Sequence, residues 1–114
     1  MARVSQETYD QRLKLYDQLV DSMPEVQRKG KTMPYTSVNG HMFSLFTGEA
    51  ELAIRLPSAD REQFLEDYDT ELCVQYGSVM KEYALVPASL LEQTEKLLEY
   101  FKLSYDYTKS LKPK

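Results

Sequence analysis

The chain has 114 residues, 42% of them hydrophobic, a formal charge of −4 at pH 7 and a single cysteine. That length suits one domain with its own core. It contains no apolar run of the roughly 18 residues a membrane helix needs and no internal disulfide. The acidic balance works against generic nucleic-acid binding, which calls for a basic surface. Residues 1–10 have no apolar stretch of the kind a secretory signal carries, so the expectation is a cytoplasmic protein of a bacterium.

Ser5 suits a helix N-cap. Tyr9, Leu13, Tyr16, Val20 and Met23 then recur at spacings of four and three, one stripe of an amphipathic helix. Pro24 cannot continue it, so the first helix is placed at 5–22. A polar connector follows, with a basic cluster of Arg28, Lys29 and Lys31.

From Tyr35 the period becomes two. Asn39-Gly40 is a strong hairpin signal, because a type I′ turn needs positive φ at both central residues. It separates the strands 35–38 and 41–46. A turn at Gly48 leads into 51–56, where Leu52, Ile54 and Leu56 share one side and Glu51, Ala53 and Arg55 the other. Such alternation describes a half-buried antiparallel strand. Pro57 ends it, and Ser58 is the expected cap of a short helix at 59–68 with Phe64, Leu65 and Tyr68 on its apolar side. Residues 72–76 fit a strand or an irregular stretch, Gly77-Ser78 a turn, and 81–86 a strand ended by Pro87. One long helix is expected over 88–111, with Leu91, Leu98 and Tyr105 on a line and Leu90, Leu97, Phe101 and Thr108 beside it. The order α-β(3)-α-β(2)-α predicts a two-layer α+β domain, an antiparallel sheet with helices on one face.

Lys31-Thr32-Met33, Val38-Asn39-Gly40-His41-Met42-Phe43 and Leu52-Ala53-Ile54-Arg55-Leu56 resemble the front half of the TfoX/Sxy N-terminal domain family. There, a basic residue and a Met precede the first strands, an Asn-Gly-type turn joins them, and a strand ending in Arg follows. Gly77-Ser78-Val79-Met80-Lys81-Glu82-Tyr83 resembles the family's later Gly-x-x-Met-Lys-x-Tyr/Trp segment, and residues 107–114 are similar to its usual ending. The resemblance spans about residues 13–114 and implies the same element order. The related YjbR/MmcQ-like domains share that architecture. By the resemblance, the function is that of a non-enzymatic interaction domain assisting transcriptional regulation. Family members that promote competence carry a further C-terminal domain, whereas these 114 residues are expected to form a single domain. Met33 is followed by Pro34-Tyr35-Thr36 where the family has Met-Phe-Gly-Gly, so nothing resting on those glycines carries over.

Candidate chemistry is sparse. His41, the only histidine, lacks an evident orienting partner for general-base work. Cys73 lacks an evident activator, and one His with one Cys makes no zinc set. Glu66, Asp67, Asp69 and Glu71 read as a solvated acidic segment, without the glycine of a calcium loop. No glycine-rich phosphate motif occurs, and no cofactor is expected. Lys31, Arg55 and Lys81 form a candidate anion site if the sheet brings them together; Glu51 and Glu82 are the acids positioned to neutralise them instead. A small anionic ligand or nucleic acid bound there is the alternative function. Tyr100 and Tyr107, seven apart on the last helix, are the candidate partner surface. The expected partner is a protein, with a second copy of the chain one candidate.

Overall fold

A computed structural model describes residues 4–30 and 32–113 of the chain. The first helix, α1 (Gln6–Asp21), starts where the capping residue predicts: Ser5 Oγ accepts from the Thr8 amide at 3.1 Å, satisfying one of the amides left open at a helix start. Its buried face is Tyr16, Leu19 and Val20, continued past the helix by Met23.

Strands β1 (Tyr35–Val38), β2 (His41–Phe46) and β3 (Leu52–Arg55) form the expected meander. Asn39 and Gly40 both take positive φ, 55° and 81°. The second turn lies at Gly48 as expected, and its left-handed residue is Ala50, φ 62°. The turn is closed by Thr47 and Glu51, whose backbones pair at 2.8 Å.

Helix α2 (Ser58–Asp67) begins one residue earlier than expected. Ser58 is its first residue and not its cap; Pro57 holds the cap position without a side-chain hydrogen bond. Strands β4 (Leu72–Gln75) and β5 (Ser78–Val86) are a hairpin whose turn is Tyr76-Gly77, both at positive φ, so β5 is longer than the sequence suggests. The five strands form one antiparallel sheet in the order β1-β2-β3-β5-β4.

The single long C-terminal helix expected is two helices, α3 (Ala88–Leu91) and α4 (Thr94–Ser110). Gln93 leaves helical geometry (φ −102°, ψ 66°). The break lets Leu90 and Leu91 both bury fully, while α4 runs over the sheet on Leu97, Phe101, Ser104 and Thr108. Leu98 and Tyr105 flank that face half-buried.

All the helices lie on one side of the sheet. Phe43, Phe46, Leu52, Ile54, Leu56, Ala84 and Val86 meet Tyr16, Leu19, Phe64, Leu97 and Phe101 in one core. Tyr16 stacks on Phe46 with ring centroids 5.8 Å apart, and Phe43 meets Phe101 at 5.3 Å. A buried hydroxyl network pins α1 to the sheet: Tyr16 Oη and Ser44 Oγ are 2.7 Å apart, and Thr36 Oγ1 bonds the same serine. Burial pushes the Tyr16 phenol up to about 12, so it serves as a neutral hydrogen-bonding group. Among the described residues, no helix is long and apolar enough to cross a membrane.

Candidate functional site

Two β-bulges shape one end of the sheet. Thr36 pairs with Ser44 but Ser37 pairs with Met42, so Phe43 is an extra residue in β2. It turns inward beside Ser44, while Met42 turns to the opposite face. In the outer hairpin, Leu72 faces Ala84 and Val74 faces Val79, so Cys73 alone stands against the β5 stretch 80–83. Bulges bend a strand and re-aim its side chains, and beside the β5 bulge Arg55, Lys81 and Glu82 come together.

Arg55, the last residue of β3, donates to Glu82 through Nε (2.9 Å to Oε1) and Nη2 (3.3 Å to Oε2). Its guanidinium lies 5.9 Å from the Tyr83 ring centroid and 6.0 Å from that of Tyr107, within cation–π range of both. Tyr107 Oη also donates to Glu82 Oε1 at 3.3 Å. Tyr83 Oη donates to the Met42 carbonyl at 2.7 Å, so its side chain spans β3, which lies between β5 and β2. The Arg55 hydrogen bond holds the Glu82 carboxyl below its usual range. Burial works against the Arg55 charge, but Glu82 and the two tyrosines outweigh it and push the guanidinium up.

A cavity of about 570 Å³ at this end is lined by His41, Met42, Arg55, Lys81, Glu82 and Tyr83. Two of the three expected anion-site residues, Arg55 and Lys81, therefore share one cavity. The third, Lys31, lies outside the described residues. Lys81 is exposed and forms no ion pair among the described residues. Of the other cations in the basic connector, Arg28 pairs with Asp17 and Lys29 donates to Ser37.

Tyr100 and Tyr107 do not form a shared exposed patch. Both are half-buried. Tyr107 belongs to the Arg55 cluster, whereas Tyr100 packs edge-on against Phe64 and shares a hydrogen bond with Tyr68 at 3.0 Å. That bond pushes the Tyr100 phenol up to about 12.

His41 is tethered: its Nε2 donates to the Lys112 carbonyl at 2.8 Å. With Asn39 Nδ2, which donates to the Lys109 carbonyl at 2.6 Å, it fastens the first hairpin to the end of α4. Cys73 is buried, and burial together with nearby Glu51 pushes its thiol up, away from the reactive thiolate. Among the described residues, no group of three or more His, Cys, Asp or Glu is placed to hold a metal ion.

The larger feature is the face of the sheet turned away from the helices. Leu45, Ala53 and Cys73 form its buried centre, with Met33, Tyr35, Met42, Met80, Tyr83 and Leu85 half-buried around them. Among the described residues, no helix residue joins this cluster. Its two ends carry opposite charge. Arg55 and Lys81 lie at one; at the other, Glu51, Asp69 and Glu71 line a second cavity of about 570 Å³ with Arg12. Burial, with Glu49 and Glu71 close by, pushes the Glu51 carboxyl up. Beyond the basic end projects the β4–β5 hairpin, with Val74, Tyr76 and Val79 at 52%, 92% and 53% exposure.

Sequence reasoning missed this face because its residues are spread over five strands and Met33. The one legible signal was the Glu51, Ala53, Arg55 side of β3. No family model, curated protein or solved structure significantly matches the chain.

Proposed function

We propose that the chain is a non-enzymatic protein-interaction domain of the TfoX/Sxy N-terminal kind, acting in transcriptional control, and that it binds through the face of its sheet that the helices leave bare. The observation that carries this reading is the apolar cluster centred on Leu45, Ala53 and Cys73, which has no second layer. A sheet hydrophobic on both faces ordinarily buries both. Three of the five methionines, Met33, Met42 and Met80, lie on it, and flexible thioethers suit surfaces that adapt to a partner.

A second feature supports the same reading. Tyr76 is 92% exposed and held at φ 53°, a conformation costly for a bulky side chain. Strain kept at an exposed aromatic agrees with selection for contact rather than for stability.

The alternative, a small-anion or nucleic-acid site on Arg55 and Lys81, is weakened by Glu82. That carboxylate occupies two of the guanidinium's donors and cancels its charge.

The test is affinity capture from a bacterial host with the parent chain and a Met80→Glu variant, followed by mass spectrometry. The reading expects a transcription-associated partner held by the parent and lost by the variant, with both chains equally folded. Equal capture by both would place binding elsewhere.

A further inference from the structure

We infer that the bare face is the contact surface of a two-fold dimer, in which a second copy of the chain lies face to face with the first and the two β3 strands run antiparallel. This rests on the interaction-domain reading and names the occupant of the face.

The argument is one of charge and symmetry. β3 is the central strand of the five. Leu52 and Ile54 point into the helix-side core, so alternation sends Glu51, Ala53 and Arg55 outward: an acid, a small residue, a base. Glu71, at the entry to β4, stands with Glu51 at the acidic end. Lys81, on β5, stands with Arg55 at the basic end.

Two copies meeting through the same face are related by an axis lying in the plane between the sheets. An axis along the strands sets acidic end against acidic end. An axis across the strands, passing over Ala53, sets β3 over β3 and β5 over β5 with their directions reversed. Lys81 then faces the region of Glu71 of the other copy. Like charges disfavour the first arrangement and opposite charges favour the second. Arg55 adds no net charge there, because Glu82 pairs with it, so Lys81 carries the basic end.

The size of the face points to a reversible complex. The strands run from four to nine residues; at about 3.3 Å per residue and about 4.8 Å between strands they give roughly 430 Å² per copy and ~860 Å² per pair. That is below the roughly 1,200 Å² of stable interfaces and in the range of weak, transient ones.

The experiment is sedimentation equilibrium of the full chain over a range of concentration, with two variants at exposed positions, Glu71→Lys and Lys81→Glu, whose folding is checked by thermal melting. The parent should dimerise. Each variant alone should associate at least ~10-fold more weakly, a loss of about 1.4 kcal/mol. An equimolar mixture of the two should recover association, because the reversed charges complement one another only across a mixed pair. A parent that stays monomeric overturns the inference, as does a dimer indifferent to both variants. So does a dimer abolished by Val74→Asp but not by the charge changes, which would be joined through the β4 edge. None of these outcomes touches the wider interaction reading, which fails only if Met80→Glu leaves partner capture unchanged.

Discussion

Ser104 Oγ, on the sheet-facing side of α4, donates to the carbonyl oxygen of Phe43 at 3.1 Å. Phe43 is the bulged residue of β2, outside the strand ladder. A helix side chain thus satisfies a backbone acceptor in the core that the bulge would otherwise leave buried and unpaired. Ser104→Ala should therefore cost ~1–3 kcal/mol, the penalty of an orphaned buried group. Urea titration of parent and variant measures it, and a loss below ~0.5 kcal/mol would mean water replaces the hydroxyl.

Four residues on, the same helix face predicts the opposite sign. Thr108 is fully buried, and its Oγ1 has no hydrogen-bond partner among the described residues. Thr108→Val keeps the shape and removes an unsatisfied hydroxyl, so it should raise stability by about 1 kcal/mol. The same titration decides it; a destabilised variant would reveal a partner for that hydroxyl.

These two residues mark where the sequence stops being legible. The alternation Leu52, Ile54, Leu56 and the Asn39-Gly40 turn were readable because local geometry alone demands them. Ser104, Ser44 and Thr36 read as polar residues, yet each is buried because a partner from a distant segment reaches it. The break at Gln93 was not readable either. A continuous helix would have kept Leu90, Leu97, Phe101 and Thr108 on one face, so periodicity is the same with or without the break. At the site, the sequence offered Glu82 as a counter-ion for the basic residues. Spacing alone makes Tyr107 a candidate partner-surface residue with Tyr100, because its approach to Arg55 depends on how α4 crosses the sheet.

Ile54 tests the assigned face of the central strand. It is fully buried under the helices, and Ile54→Ala should cost ~2–5 kcal/mol. A loss under ~0.5 kcal/mol would reverse the face of β3 and the charge argument built on it.

Tyr76→Asn should stabilise the protein by ~0.5–1 kcal/mol, because Asn-Gly suits a type I′ turn and tolerates left-handed geometry. Thermal melting reads the gain. A loss of stability would mean that the exposed ring contributes to the fold.

Glu82 and Glu51 should respond to pH in opposite directions. Glu82 is held below its ordinary range in the folded chain. Its stabilisation is present above the unfolded carboxylate range, near pH 4.3, and disappears as pH falls through the depressed folded value. Glu51 is raised by burial, Glu49 and Glu71. It opposes folding at neutral pH, and that opposition fades as pH falls through its raised folded value towards the unfolded one. At concentrations low enough to keep the chain monomeric, Glu51→Gln should melt higher than the parent at pH 7, and Glu82→Gln lower. Both differences should shrink as pH falls below the unfolded carboxylate range. A pH-independent gap would trace the effects to packing.

The methionine methyls report most directly on whether the bare face is where molecules meet. Met33, Met42 and Met80 lie on it, whereas Met23 is buried in the helix-side core. In methyl-labelled protein followed by NMR as concentration rises, the account predicts that the first three resonances shift together and that of Met23 stays fixed. If all four remain unmoved, or Met23 shifts along with them, the face is not where two copies of the chain meet.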